Sequence, residues 1–245
     1  MTRAEAFASM PVAVLAGGLG TRLRPAIGAR QKTVAEVAGR PFLARLLDQL
    51  ARFGFRDVVL CVGFGAEQVE RALGARHGPL RLRYSREAEP LGTAGALRHA
   101  LPLLLGDTAL VMNGDSFCDV DLVEVWDAHS RRGALATLVL VEVPDTTRYG
   151  RVELDADDAI RRFVEKQPED GPGWINAGIY LLARSRIAAI PAARPLSLER
   201  DVFPGWIGER LFGHRSRARF VDIGTPQSYA DASRLFAADD RGPGP

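Results

Sequence analysis

Cysteine is nearly absent from this 245-residue chain: Cys61 and Cys118 are its only two, without CxxC spacing. That excludes a disulfide framework and a cysteine-built zinc site. The first ten residues lack a charged-then-apolar leader pattern, and no apolar run approaches the length of a membrane span. The expectation is a soluble protein of the reducing cytoplasm with no membrane partner. No Ser/Gly/Pro-rich linker interrupts the chain, so one domain over 1–245 is expected. A polybasic field is missing too, with net charge +2 and 25% charged residues; no nucleic-acid partner is expected, and small anionic substrates fit better. Lysine is almost missing as well: of 32 basic side chains only Lys32 and Lys166 are lysines. A chain that otherwise writes its positive charge as arginine keeps lysine where a compact ammonium is wanted and a planar fork does not fit. Chance survival of two surface lysines is the competing explanation.

What is present is organised around Val12-Ala13-Val14-Leu15-Ala16-Gly17-Gly18-Leu19-Gly20-Thr21-Arg22-Leu23-Arg24. Five apolar residues read as a buried central strand. The glycines after it let the backbone pass close to something bulky, with N–H groups free to form an anion nest. The run is not a Walker A loop, which needs Gly-Lys-Ser/Thr where Arg22 and Leu23 stand. Nor is it the dinucleotide fingerprint, since Leu23 occupies the third glycine position and Glu36 ends no convincing strand. An ordinary strand-to-helix turn with surface arginines also fits the glycines alone. Arg22, however, adds a planar fork suited to phosphate oxygens.

With 47% apolar residues the chain can bury a full core. Residues 25–40 read as an irregular loop carrying Lys32. Pro41 opens a helix with Phe42, Leu43, Leu46, Leu47 and Leu50 on one face. Strands are expected at Asp57 to Val62, Leu80 to Ser85, Ala109 to Met112 and Ala134 to Val143. Helices are expected at Ala66 to Leu73, from Gly92 to about Leu105, at Leu122 to Arg131, and from Thr225-Pro226 onward. Strands alternating with helices predict an α/β fold: a Rossmann-like, mixed but mainly parallel sheet flanked by helices, with the working site at the strands' carboxyl ends. From Tyr149 to Leu182 short strands joined by Asp-rich and Gly/Pro-rich turns predict a smaller antiparallel part beside it.

Three further stretches bear on chemistry. In Glu87-Ala88-Glu89-Pro90-Leu91-Gly92-Thr93, Gly92 or Thr93 is placed to cap the following helix while backbone groups face a ligand. Glu87 and Glu89 are carboxylates able to accept from the N1–H and amine of guanine, although two exposed glutamates on a turn would look the same. Asn113-Gly114-Asp115-Ser116 follows a buried strand, where either a magnesium ligand or a simple turn would stand. Asp222, in Phe220-Val221-Asp222-Ile223-Gly224, is flanked by apolar residues, an unusual setting for a surface carboxylate.

Taken together these segments resemble the sugar-phosphate nucleotidyltransferases, which join a nucleoside triphosphate to a sugar 1-phosphate and release pyrophosphate. The resemblance runs from Val12 to about Phe236. It implies a nucleotidyltransferase, or GT-A-like, fold with a nucleotide-binding half over about 11–143, a sugar-binding half over about 144–237 and a frayed tail at 238–245. It implies a nucleotide held by Leu15, Ala16, Gly17, Gly18, Gly20, Thr21 and Arg22, with Lys32, Glu87, Gly92, Thr93 and Asp115. It implies a sugar phosphate held by Gly150, Glu165, Lys166 and Asn176, and Mg²⁺ on Asp115 and Asp222. Arg22, Lys32, Asp115 and Asp222 are the implied catalytic group. The family's Pro-Lys-Pro is here Arg30-Gln31-Lys32-Thr33, so the lysine is kept without the stiffening prolines.

Pro144-Asp145-Thr146-Thr147-Arg148-Tyr149-Gly150-Arg151-Val152-Glu153, Gly173-Trp174-Ile175-Asn176-Ala177-Gly178 and Ser197-Leu198-Glu199-Arg200-Asp201-Val202-Phe203-Pro204 are similar to D-glycero-D-manno-heptose 1-phosphate guanylyltransferases. The implied reaction is GMP transfer from GTP to that heptose 1-phosphate. Mannose, glucose or N-acetylmuramate 1-phosphate, with GTP, UTP, dTTP or ATP, is the alternative within the same chemistry. A homo-oligomer is left open; C-terminal repeats of the kind some relatives use for acetyl transfer or oligomer contacts are not expected. A sugar-nucleotide sensor and a glycosyltransferase using Asp119-Val120-Asp121 are the readings from other classes.

Overall fold

The computed structural model of the chain describes residues 3–164 and 171–240. Helix α1 (Arg3–Ser9) leads into strand β1 (Val12–Leu15), then α2 (Arg24–Ile27), the two-residue strands β2 (Glu36–Val37) and β3 (Arg40–Pro41), and α3 (Phe42–Arg52). Next come β4 (Asp57–Val62), α4 (Ala66–Leu73), β5 (Arg76–His77), β6 (Leu80–Arg86) and α5 (Gly92–Ala100). The middle of the chain adds β7 (Thr108–Asn113), β8 (Ser116–Cys118), α6 (Leu122–Arg131) and β9 (Ala136–Val143). The last part holds β10 (Arg151–Leu154), β11 (Ile160–Val164), β12 (Gly173–Ala183), α7 (Arg184–Ala189), β13 (Leu211–Ser216), β14 (Phe220–Asp222) and α8 (Pro226–Asp239).

Eight strands form one sheet in the order β13-β9-β12-β7-β1-β4-β6-β5. The pairs β7/β1, β1/β4, β4/β6 and β9/β13 are parallel, whereas β12 runs antiparallel to both β7 and β9. Alternation along each strand sends side chains to opposite faces. Val12, Val14, Leu60 and Met112 pack on one side with Phe42, Leu46 and Leu50 of α3, Val69 of α4 and Phe236 of α8. Ala13, Val59, Val111 and Leu140 pack on the other with Leu97 of α5, Ile187 of α7 and Phe203. Helices cover both faces, the arrangement a mainly parallel sheet requires. Among the described residues no helix is long and apolar enough to cross a membrane.

Two departures from the sequence pattern have local causes. The helix beginning at Gly92 was expected to reach about Leu105, but it ends at Ala100 and gives way to a 3₁₀ turn over Leu101–Leu103. Pro102 lacks the N–H that a longer helix would need. Ile175 to Leu182 was expected beside the sheet, yet β12 lies inside it between β9 and β7. Its unbroken run of buried residues from Ala177 to Leu182 is what a strand covered on both faces carries. Among the described residues only the pairs β10/β11, β14/β8 and β2/β3, all antiparallel, stand beside the sheet.

The parallel strands β1, β4, β6 and β7 end at one edge, which delivers the glycine turn after Leu15, Gly63, Glu87 and the Asn113–Asp115 turn to the same place. Because β12 is antiparallel, its beginning, with Asn176, reaches that edge from the opposite direction.

Candidate active site

Two adjoining cavities open along this edge. The smaller, about 260 Å³, is walled by Leu15, Gly17 and Gly18 of the glycine turn and by Glu87, Gly92 and Thr93. The larger, about 830 Å³, is walled by Arg22, Gly150, Asn176, Glu199 and Asp222 among others. Lys32, Asn113 and Asp115 belong to both walls.

Lys32 is delivered to this junction by a local device. Gln31, fully buried, accepts from the Thr33 N–H at 2.6 Å and donates through Nε2 to the Ala16 carbonyl at 2.6 Å. One side chain therefore caps the 3₁₀ turn Lys32–Val34 and ties it to the glycine turn. This replaces the stiffness that prolines would supply. Gly20 leaves room for the lysine: its φ is +58°, and a Cβ there would stand 2.9 Å from the Lys32 Cβ. Lys32 Nζ donates to Asp115 Oδ2 at 2.6 Å.

Asp222 reaches the junction through β14, whose pairing with β8 sets Asp222 opposite Ser116, one residue after Asp115. The Ile223 N–H also donates to the Asp115 carbonyl at 3.0 Å. The Asp222 carboxylate accepts from the Gly224 N–H at 2.7 Å, from Ser228 Oγ at 3.1 Å, from Arg148 at 3.1 and 3.2 Å and from the Tyr149 hydroxyl. Burial pushes its pKa up, but these donors outweigh burial and hold the carboxyl below the usual aspartate range.

Glu87 turns beneath the glycine turn, and close backbone approach requires glycine there: a Cβ on Gly17 would meet Glu87 Oε1 at 2.6 Å. Its Oε2 accepts from the Leu91 N–H at 3.1 Å. Burial raises the Glu87 pKa, with the Leu91 N–H and His99 partly opposing it. Glu89 is exposed and lines neither cavity.

Asp115 and Asp222 offer hard carboxylate oxygens on one cavity wall, with the Asp115 side chain 42% exposed. Among the described residues no group of three or more His, Cys, Asp or Glu could hold a metal. Two carboxylates are what Mg²⁺ takes from a protein when phosphate oxygens and waters complete its shell. The chemistry of the donor set suits that ion, with Asp115 the open ligand and Asp222, 14% exposed, held by Arg148, Tyr149, Ser228 and the Gly224 N–H.

Other expectations are corrected. Neither Gly92 nor Thr93 caps α5, whose N-cap is Leu91; Thr93 Oγ1 instead donates to Glu199 and accepts from the Leu198 N–H. Asp119 pairs with Arg52 at 2.9 Å and Asp121 caps α6 by accepting from the Val123 N–H at 2.8 Å, so the Asp119-Val120-Asp121 motif is occupied by structural contacts. Of the glycine turn, Leu15, Gly17 and Gly18 line the smaller cavity and Arg22 the larger, while Ala16, Gly20 and Thr21 line neither. Asn176 lies in the wall of the larger one, its amide engaged by Tyr180 and the Gly178 N–H. Glu165 and Lys166 lie outside the described residues. Among the wall residues that had no assigned role from sequence are Asn113, Arg148, Tyr149 and Glu199. All stood inside segments that carried the family resemblance, but Arg148 and Tyr149 meet Asp222, and Glu199 meets Thr93, across long stretches of chain.

The sequence and the fold both have counterparts among known proteins. The family profile described as "Nucleotidyl transferase" matches residues 12–239. Mannose-1-phosphate guanylyltransferase from Mycobacterium tuberculosis is 36% identical over 224 residues, covering 90% of this chain; the chain spans only 62% of that relative's length. The crystal structure of HddC from Yersinia pseudotuberculosis superposes with a TM-score of 0.84 at 32% identity, covering 93% of this chain and 99% of HddC. HddC complexed with GMP-PN superposes at 0.82 with 31% identity, over 93% of this chain and 99% of HddC.

Proposed function

Because the chain belongs to the nucleotidyl transferase family, we propose that its smaller cavity takes GTP, its larger one a sugar 1-phosphate, and that it transfers GMP between them with release of pyrophosphate. The observation that carries this reading is the shared wall: Lys32, Asn113 and Asp115 face both cavities, so two ligands there would meet at this point.

A sugar 1-phosphate is close to a dianion near neutral pH, since a phosphate monoester has its second pKa at about 6. It needs no general base. What opposes the reaction is repulsion between that dianion and the triphosphate, so catalysis consists of alignment and charge neutralisation. The wall of the larger cavity carries Arg22, Lys32, Arg148, Arg151 and Arg200 against Asp115, Glu199 and Asp222, an excess of positive charge. Lys32 stabilises charge developing at the α-phosphate, while Arg22 and the amides of Gly17 and Gly18 hold the departing pyrophosphate. From sequence, Lys166 is assigned to the attacking phosphate. Asp115 and Asp222 would hold Mg²⁺, which when bound supplies positive charge to the phosphate oxygens. Glu87 is the base reader, a carboxylate matched to the N1–H and amine of guanine and finding no such donor pair on adenine. A guanine-type ligand, GMP-PN, in the solved HddC complex supports that choice.

The three segments centred on Tyr149, Asn176 and Glu199 favour D-glycero-D-manno-heptose 1-phosphate as acceptor. Mannose 1-phosphate is the second reading, supported by the name of the Mycobacterium tuberculosis relative. The test is a matrix of GTP, UTP, dTTP and ATP against heptose, mannose, glucose and N-acetylmuramate 1-phosphates, assayed for pyrophosphate. The expected result is release with GTP and one sugar phosphate above the rest. No release from any pair would overturn the reading.

A further inference from the structure

A hydrogen-bond chain behind the shared wall has its polarity fixed at one end. Glu199 accepts from Ser197 Oγ at 2.8 Å, from Thr93 Oγ1 at 3.1 Å and from the Tyr180 hydroxyl at 3.0 Å. A carboxylate only accepts, so the single hydroxyl hydrogen of Tyr180 is committed to Glu199 and the Tyr180 oxygen can only accept from its other neighbours. Asn176 conforms: its Nδ2 donates to Tyr180 at 2.8 Å, and its Oδ1 takes the Gly178 N–H at 2.9 Å. Tyr180 itself is fully buried, its ring packed edge-on against Phe203 with centroids 5.1 Å apart, so the hub of the chain is held in place.

Asn113 turns the same edge inward. Its Nδ2 would stand 2.7 Å from a Cβ on Gly178, and its amide interacts with the Tyr180 hydroxyl. The carbonyl must then point the other way. Asn113 Oδ1 is buried and meets no donor among the described residues, while Asn113 is one of the three residues that wall both cavities. An unmet buried carbonyl carries a cost comparable to a lost hydrogen bond. A phosphate oxygen cannot relieve it, being itself an acceptor. A hydroxyl can.

We propose that Asn113 Oδ1 accepts a hydrogen bond from a hydroxyl of a bound substrate, and that Tyr180 and Glu199 are positioning residues that fix which edge of the Asn113 amide faces the cavities. The inference rests on the two-ligand reading above. Both ligands carry hydroxyls near the reacting phosphates, on the ribose of the nucleotide and on the sugar beside its anomeric phosphate.

The test compares GTP with 2′-deoxy-GTP and 3′-deoxy-GTP in one arm, and D-glycero-D-manno-heptose 1-phosphate and mannose 1-phosphate, each with its 2-deoxy counterpart, in the other. Both arms are read as kcat/KM by pyrophosphate release and as Kd by calorimetry. The wild type should lose about tenfold or more on removal of the hydroxyl in one arm, and that arm identifies the source. Asn113→Ala should show the same loss with the intact substrate and no further loss with the deoxy analogue. Tyr180→Phe and Glu199→Gln keep size but free the amide to turn, and each should shrink the discrimination in that same arm. Discrimination in neither arm, or in Asn113→Ala as large as in the wild type, would overturn the proposal. Absence of pyrophosphate with every pair would instead sink the reaction reading, and calorimetry of the same ligands would still decide on Asn113; a wild type that binds none of them overturns both.

Discussion

Lys32 Nζ and Asp115 Oδ2 stand 2.6 Å apart, with the lysine side chain 10% exposed and the carboxyl 42% exposed. The ammonium is set into the wall while the carboxylate keeps a face toward the cavities. This geometry lets Asp115 take a further partner without moving the lysine away from arriving phosphates. Lys32→Ala should lower pyrophosphate release by on the order of 10²-fold or more. Lys32→Arg should restore little, because a planar fork does not reproduce the single ammonium held 2.6 Å from Asp115 Oδ2. Near-wild-type turnover in Lys32→Arg would refute that account.

The passage that carries Lys32 is one the sequence left open. Its missing prolines gave no sign that Gln31 would do their work, because that depends on a contact to Ala16 fifteen residues earlier. Elements with strong local patterns were legible: β4, α4 and α6 have the expected ends. β13 was not, since Gly213, His214 and Arg215 break any apolar pattern and the strand is set by pairing with β9 on one side and a bridge from Phe212 to Ala159 on the other. The site followed the same rule. Glycine turn, lysine and aspartates could be read from motifs, whereas Tyr149 gains its role from Asp222, 73 residues away.

Gly20→Ala should hurt both fold and activity. The left-handed φ of +58° costs an L-residue about 1–2 kcal/mol, and the added Cβ would press on Lys32. A lower melting temperature together with at least a roughly tenfold fall in turnover is expected. Gly205→Ala, at a position with open space and outside both cavity walls, should change neither. Equal behaviour of the two variants would contradict the reading.

Glu87 predicts an acid limb in nucleotide binding. Burial raises its pKa above the usual glutamate value, so the accepting carboxylate form is lost at a higher pH than for an exposed glutamate. GTP affinity by calorimetry should weaken as pH falls through that raised value, and Glu87→Gln should flatten the limb. The sign for stability is opposite: a raised folded pKa means that ionised Glu87 destabilises the fold as pH rises through it. Glu87→Gln should therefore melt no lower than wild type at neutral pH while binding GTP about tenfold more weakly. A variant that loses stability and affinity together would assign Glu87 to the core instead.

Asp222 predicts the reverse pH dependence. Burial opposes its ionisation, but the Tyr149 hydroxyl, Gly224 N–H, Arg148 and Ser228 prevail and lower its pKa. A lowered folded pKa contributes stability above the ordinary aspartate value that is lost as pH falls through the folded one. Tyr149→Phe removes one charged hydrogen bond, worth about 1.5–3 kcal/mol. Chemical denaturation should show the variant less stable than wild type at pH 7, with the gap closing as the pH drops below the usual aspartate range. A gap that stays constant with pH would contradict the pairing.

Pyrophosphate release by Asp115→Asn and Asp222→Asn, measured with saturating Mg²⁺, GTP and the best sugar 1-phosphate, tests the joint site most directly. With circular dichroism unchanged, each variant should fall by on the order of 10²-fold or more. Either variant working at the wild-type rate would show that the carboxylates gathered at this edge do not serve the transfer.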